Sequence, residues 1–273
     1  MHVSVLLPGI LSRGQVNTII HKLCVSMVHL YEIEATERSH LMQHEIQQDI
    51  WKRLAAEAAA ELVESGMVVG IGTGSTAAYM IQALARRIQA GLHIIGAVPT
   101  SEATEQLASS LGIPLTNLNT HPELDLTIDG ADEIDSHLNL IKGGGGALLR
   151  EKIVASASHH FIVIADATKL VTQLGLKAAL PVEAIPFAVT PVSRHLQALG
   201  ASVQVRQRSN QVFLTDNGNI ILDCSFPNGI ADPANLEASI RHIVGVVESG
   251  LFLNMAERAL IGGPEGVKQI MAR

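Results

Sequence analysis

Short apolar runs alternate with amphipathic stretches from residue 45 onward, and this rhythm restricts the possible folds more than any other feature of the chain. Buried strands are predicted at 67–71, 93–98, 124–128 and 161–165. Amphipathic helices are predicted around them, at 46–62, 75–88, 101–111 and 147–158. Strands that alternate with helices in this way form parallel sheets with right-handed crossovers. We therefore expect an α/β core.

The rhythm changes after residue 176. Strands are predicted at 182–187, 202–215, 220–224 and from 246, and helices at 191–199 and 233–243, which is the ferredoxin-like split βαβ pattern. The stretch 251–273 is predicted to add a strand and a helix to the first sheet. The predicted domains are therefore a catalytic α/β domain over 45–176 plus 249–273, and an inserted α+β lid domain over 177–248.

Residues 1–44 lack this rhythm and hold five of the twelve histidines. A helix is predicted around 16–30, and Met27 and Met42 are alternative start residues. We expect this segment to be an N-terminal extension, either disordered or the product of a misassigned start, and we assign no chemistry to it.

Composition excludes several classes of protein. The net charge of the 273-residue chain is −7, which provides no basic surface for nucleic acid. No window reaches the ~18 consecutive apolar residues of a membrane span. Cys24 and Cys224 form no metal-binding spacing, and so few cysteines favour a reducing compartment. We predict a cytoplasmic protein without nucleic-acid or membrane partners.

A glycine-rich loop, Gly70-Ile-Gly-Thr-Gly-Ser-Thr76, joins the first predicted strand to a helix. Its glycines let backbone amides approach an anion, and Ser75 and Thr76 add hydroxyls at a helix N-terminus, which favours phosphate. A dinucleotide fingerprint is excluded because Ser75 replaces its third glycine, and a P-loop because no Gly-Lys-Ser/Thr follows. A phosphate site and a plain tight turn remain as alternatives.

Three further loops follow predicted strands, where ligands of parallel sheets gather. Asp129 and Asp132 can hold sugar hydroxyls or a divalent cation, or can act as a helix cap and a solvated charge. Lys142 and the four glycines after it can form an amide nest for an oxyanion. Glu151, on the next helix, points either at this nest or at solvent, and Lys169 can supply a second cation.

These loops contain neither cysteine nor histidine, so thiolate and imidazole catalysis are not indicated. The residues favour proton transfer next to a carbonyl of a phosphorylated small molecule. The helix N-terminus favours the ionised form of Glu151 whereas burial opposes it, and the sequence leaves this balance open.

Seven motifs closely resemble A-type ribose-5-phosphate isomerases. They are GIGTGSTA (70–77), TIDGADEID (127–135), IKGGGGALLREKIVA (141–155), IADATKLV (164–171), LPVEAIPFA (180–188), TDNGNIILD (215–223) and GGPEGVK (262–268). The likeness extends from about residue 48 to the C-terminus. It implies a Rossmann-like parallel-sheet core of the glucosamine-phosphate-deaminase/CoA-transferase type with a ferredoxin-like lid, in a homodimer or a tetramer.

The resemblance also implies an activity without metal or cofactor, the interconversion of ribose 5-phosphate and ribulose 5-phosphate in the pentose phosphate pathway. It places the proton-accepting carboxylate on Glu151, and catalysis through a cis-enediolate would also involve Lys142, Asp129 and Asp132. The implied substrate-binding residues are Thr73, Gly74, Ser75, Thr76, Asp129, Gly130, Ala131, Asp132, Lys142, Gly143, Gly144, Gly145, Lys169 and Lys52.

Two alternatives differ in function. A sugar-phosphate deaminase or lactonase of the same superfamily would share the glycine loop but would be expected to use a histidine near the acidic loop. A non-catalytic sugar-phosphate sensor with a DNA-binding head would need more than 44 N-terminal residues, and the basic and acidic side chains balance in that segment.

Overall fold

The computed structural model describes residue 43 and residues 45–272. The chain divides at Gln48 and Asp49, and the account below concerns the unit that begins at Asp49. The predicted extension, including the helix expected at 16–30, lies outside the described residues apart from Gln43. Among the described residues, no helix is long and apolar enough to cross a membrane.

The second unit contains strands and helices in alternation. The helices are α1 (49–60), α2 (Ser75–Gln89), α3 (Glu102–Ser110), α4 (Leu148–Ser156), α5 (Val189–Ala198) and α6 (Pro233–Arg241). The strands are β1 (Val68–Ile71), β2 (Gly96–Pro99), β3 (Leu124–Gly130), β4 (Glu133–Ile134), β5 (Leu140–Ile141), β6 (Ser158–Asp166), β7 (Leu180–Ala184), β8 (Ser202–Val205), β9 (Gln207–Arg208), β10 (Gln211–Val212), β11 (Ile220–Ser225), β12 (Val246–Ser249), β13 (Leu251–Phe252), β14 (Arg258–Gly263) and β15 (Gly266–Met271).

A six-stranded sheet in the order β15-β14-β6-β3-β1-β2 forms the centre of the unit. All its neighbouring strands are parallel except β15, which is antiparallel to β14. Alanines of α1 and the apolar face of α2 are buried with the side chains of the central strands. The short alanine side chains allow α1 to pack closely. The α/β class predicted from the strand–helix rhythm is confirmed.

A second sheet, in the order β12-β7-β11-β8, is antiparallel throughout. In chain order it is built from β7, α5, β8, β11, α6 and β12. Apolar side chains of these strands and helices share one core that includes Val182, Leu196, Leu222 and Ile240. A small third sheet, β13-β5-β4, brings the end of this segment back beside the loop that follows β3.

The helix predicted within 251–273 is wrong. That stretch forms β13 and then the hairpin of β14 and β15, which turns at Gly263–Gly266. The hairpin rejoins the first sheet because β14 pairs with β6. A short terminal stretch of mixed polarity fits either helix or edge strand by its pattern, and the free edge of β14 favours the strand.

Candidate active site

The loops at the carboxyl ends of β1, β3 and β6 meet the glycine tract (the four consecutive glycines 143–146, before α4) around a small cavity of about 130 Å³. Its walls contain every site residue predicted above except Asp129. They are Lys52, Thr73, Gly74, Ser75, Thr76, Gly130, Ala131, Asp132, Lys142, Gly143, Gly144, Gly145, Glu151 and Lys169. Tertiary packing therefore brings together loops that are distant in the sequence.

The glycine loop forms one end of the cavity. Gly74 precedes α2 with φ at +108°, a conformation that favours glycine, and no side chain caps the helix. The first turn of α2 contains no acidic residue, so its free amides and positive dipole end are open to an anion. Lys52 and Lys169 line the same cavity and add positive charge.

A cluster of hydroxyls holds Thr73, and sequence reasoning missed it. Thr73 Oγ1 lies 2.7 Å from Thr100 Oγ1 and 2.8 Å from Ser101 Oγ. Thr104 Oγ1, 3.1 Å from Thr73 Oγ1, donates to the Gly72 carbonyl. A signal was present, because Thr100 and Ser101 directly follow β2 at the carboxyl edge of the sheet.

Asp129 lies behind the cavity wall rather than in it. Its carboxylate accepts hydrogen bonds from the Thr73 amide at 3.0 Å and the Gly130 amide at 2.7 Å. The same carboxylate is 3.0 Å from the Lys142 ammonium, and both side chains are buried. Only glycine fits at position 72, because a Cβ there would lie 2.0 Å from Asp129 Oδ1. The direct contact of Asp129 with sugar hydroxyls stays a prediction.

Asp132 lines the cavity and orders the glycine tract. Its Oδ2 accepts a hydrogen bond of 2.7 Å from the Gly144 amide. A Cβ on Gly144 would lie 2.6 Å from Asp132 Oδ1, so glycine is required for this approach. One amide of the expected oxyanion nest is therefore already bonded to a carboxylate.

Lys142 places a buried ammonium between two carboxylates. Its Nζ donates to the Gly130 carbonyl at 2.6 Å and lies 3.0 Å from Asp129 Oδ2 and 3.3 Å from Glu151 Oε2. Burial alone lowers the pKa of Lys142, but Asp129 and Glu151 outweigh burial and raise the pKa to about 12. Lys142 is therefore a permanent positive charge at neutral pH.

Glu151 lies in the first turn of α4, because the helix begins at Leu148. Its side chain lines the cavity and is buried, and its Oε2 accepts no hydrogen bond from the described residues. Burial, then the charge of Asp129, raises the pKa of Glu151 to about 8, although Lys142 lowers it. Burial therefore changes the pKa of Glu151 more than the helix N-terminus does, a question that the sequence left open.

Known proteins resemble this chain over most of its length. The family model of ribose 5-phosphate isomerase A (phosphoriboisomerase A) matches residues 96–266. A ribose-5-phosphate isomerase A from Bacillus mycoides is 52% identical over 218 residues, which cover 80% of this chain and 98% of the relative.

The chain belongs to the ribose 5-phosphate isomerase A family.

Solved structures of ribose-5-phosphate isomerases are similar over most of the chain. One, a complex with phospho-erythronic acid, is 39% identical with a TM-score of 0.79 and covers 82% of this chain and 99% of its own. The ribose 5-phosphate isomerase A of Neisseria gonorrhoeae is 43% identical with a TM-score of 0.77 and covers 83% of this chain and 98% of its own. The family resemblance stated from the seven motifs is confirmed.

Two further observations concern this member of the ribose 5-phosphate isomerase A family. Among the described residues, no group of three or more His, Cys, Asp or Glu side chains is arranged to hold a metal ion. Arg206, which no sequence motif indicated, donates hydrogen bonds to the carbonyls of Gly143 and Gly144.

Proposed function

We propose that this chain interconverts D-ribose 5-phosphate and D-ribulose 5-phosphate, with Glu151 as the base. The observation that supports this most is the pairing of a buried carboxylate and a buried ammonium, Glu151 and Lys142, in one cavity with an uncapped helix N-terminus. A phosphate at the helix would hold the sugar so that its reacting carbons reach Glu151.

The phosphate end is proposed at the start of α2. The helix N-terminus has no side-chain cap, and Ser75, Thr76, Lys52 and Lys169 all line the same cavity. The Lys52 ammonium is also 3.3 Å from Asp49 Oδ1. Charge-assisted hydrogen bonds from helix amides and ammonium groups hold phosphate strongly. A related D-ribose-5-phosphate isomerase was solved in complex with phospho-erythronic acid, which also carries a phosphate group.

The acidic loop is proposed to act on the sugar hydroxyls. Asp132, in the cavity wall, would accept a hydrogen bond from a hydroxyl group and assist opening of the furanose ring. Asp129 would contribute through Lys142, whose ammonium it holds, as well as by the direct contact predicted from the sequence.

Glu151 is proposed to take the proton from C2 of the open aldose and return it to C1 through a cis-enediolate. The C2 hydroxyl becomes the carbonyl, and the C1 carbonyl oxygen gains a proton. Lys142 and unbonded amides of the glycine tract would stabilise the negative charge on oxygen. A positioned base contributes about 10²–10⁴-fold and an oxyanion donor about 10²–10³-fold, so both are needed to reach the ~10⁶-fold of ordinary enzymes.

We further propose that residues 177–248 form a ferredoxin-like lid on a catalytic domain of the glucosamine-phosphate-deaminase/CoA-transferase type, made of 45–176 plus 249–273. Two contacts support the position of this segment beside the site. The Phe213 ring lies against Gly146, where an added Cβ would meet it at 2.4 Å, and Arg206 bonds to the glycine tract. Side chains from the segment therefore contact the glycine tract beside the site.

A cytoplasmic homodimer is proposed as the working form. The Phe187 ring is 97% exposed and the Val244 side chain 94% exposed, and both line one apolar groove. Large exposed apolar groups in one patch are typical of surfaces that a partner covers. Light scattering of the purified protein and of Phe187→Glu tests this, because the variant should be monomeric if this groove is the interface.

The activity is tested by incubating the purified chain with ribose 5-phosphate and measuring ketose formation, in excess chelator and without it. We expect equal rates in both, because the proposed steps use only protein groups. Ammonia release from amino-sugar phosphates, or a gel shift with DNA in the absence of ketose formation, would favour the deaminase or the sensor instead.

A further inference from the structure

Arg206 connects the second sheet to the glycine tract. It follows β8, and its Nη1 donates to the Gly143 carbonyl at 2.6 Å and the Gly144 carbonyl at 3.1 Å. The rest of its guanidinium is paired with both carboxylate oxygens of Asp223 on β11, with Nε 2.9 Å from Oδ2. A planar guanidinium held by two parallel bonds has a fixed orientation. The Nη1 group of Arg206 is therefore held in place against the carbonyls of the glycine tract.

The two carbonyls that Arg206 holds determine where the tract amides point. Every peptide bond of the described residues is trans, so the carbonyl and the N–H of one peptide group point in opposite directions. The group between Gly143 and Gly144 is held from both sides, with its carbonyl on Arg206 and its N–H on Asp132.

The next peptide group has one side free. The Gly144 carbonyl accepts from Arg206, whereas the Gly145 N–H makes no hydrogen bond to any described residue. This N–H points away from Arg206, and Gly145 lies in the cavity wall. A cation on the carbonyl side also polarises the peptide group and makes its N–H a stronger donor.

We propose that Arg206, oriented by Asp223, is a positioning residue that presents the Gly145 N–H to the substrate oxygen on which negative charge develops. The inference rests on the proposed isomerase function. A donor aimed at charge that exists mainly in the transition state affects kcat more than KM. Arg206 contributes without touching the substrate.

The alternative role for Arg206 is structural, as a link between the two sheets. Arg150 provides a matched control because it joins α4 to the loop between β10 and β11, part of the same 177–248 segment as Arg206. Its Nε donates to Asn217 at 3.0 Å, and its Nη2 to the Asp216 carbonyl at 3.2 Å. Arg150 does not line the cavity, and its side-chain hydrogen bonds go to Asn217 and Asp216 rather than to the glycine tract.

The experiment compares kcat, KM and thermal unfolding for Arg206→Gln, Arg206→Lys, Asp223→Asn and Arg150→Gln. We expect Arg206→Gln to lower kcat by about 10- to 100-fold, which is no more than the effect of deleting an oxyanion donor. The KM of this variant should stay within about twofold of the wild-type value. Arg206→Lys should recover part of kcat, and Asp223→Asn, which keeps the arginine, should lose several-fold. Arg150→Gln should keep kcat.

A rescue measurement separates positioning from stability. In Arg206→Ala, low-millimolar guanidinium chloride should restore part of kcat by occupying the place beside Asp223, whereas the same concentration of urea should not. An unchanged kcat in Arg206→Gln, an equal loss in Arg150→Gln, or a loss in Arg206→Ala that guanidinium does not relieve would overturn the proposal. A wild-type chain without isomerase activity would instead refute the proposed function itself.

Discussion

Lys142 Nζ lies 3.3 Å from Glu151 Oε2, and both side chains are buried at the wall of the same cavity. The ammonium moderates the basicity of a carboxyl group that burial makes unusually basic. Because the pKa of Glu151 is raised to about 8, the group can both accept and return a proton near neutral pH, as a shuttle between two carbons requires.

The first prediction concerns the base itself. Glu151→Gln keeps the shape of the side chain but cannot accept a proton, so kcat should fall by about 10²–10⁴-fold, with substrate affinity largely kept. Steady-state kinetics and calorimetric binding measure the two effects separately. Glu237→Gln, which changes a carboxyl near Lys152 outside the cavity, is the control. Wild-type turnover in Glu151→Gln would refute the assignment.

The second prediction concerns the pH dependence of activity. Because the proposed base has to be ionised in the free enzyme, kcat/KM should rise with pH through the Glu151 pKa of about 8. Lys142→Met removes the charge that lowers this pKa, so the rising limb should move to higher pH. Lys152 is paired with Glu248 instead, and Lys152→Met should leave the limb in place. A limb that does not move in Lys142→Met would contradict the electrostatic role.

The third prediction concerns stability. The pKa of Glu151 rises from 4.5 to about 8 on folding, so between these values the folded state binds a proton that the unfolded state does not. Stability should therefore decrease as the pH rises across this window. Glu151→Gln removes the free-energy cost of ionising this buried carboxyl. The difference in melting temperature between the variant and the wild type should therefore be larger at pH 8 than at pH 5, in favour of the variant. Calorimetry at both pH values measures this, and an equal difference at both would be inconsistent with it.

The fourth prediction concerns the glycine tract. In Gly144→Ala the new Cβ would lie 2.6 Å from Asp132 Oδ1, so the carboxylate and the loop must separate. A displacement of about 1 Å in a catalytic group can cost ~10²-fold, and we expect a loss of kcat/KM of that order. Gly263→Ala, where the nearest atom is 3.7 Å away, should retain activity. Full activity in Gly144→Ala would show that this contact is not needed.

Local patterns were sufficient for much of the fold. The buried runs and amphipathic helices predicted β1, α2, β3 and α4 to within a few residues, because periodicity reports directly which face of an element is buried. The same approach failed at 266–271, where an edge strand depends on the neighbouring β14 rather than on its own sequence.

The sequence by itself determined which residues were available for the site, since glycines, carboxylates and lysines after buried strands indicate chemistry without coordinates. Only the tertiary structure decided how they act together. It paired Asp129 with Lys142, raised the pKa of Glu151 through burial, and brought Arg206 to a glycine tract about sixty residues earlier in the chain. The physical reason is that periodicity is a local property, whereas desolvation and Coulomb energies depend on distances between segments that only folding sets.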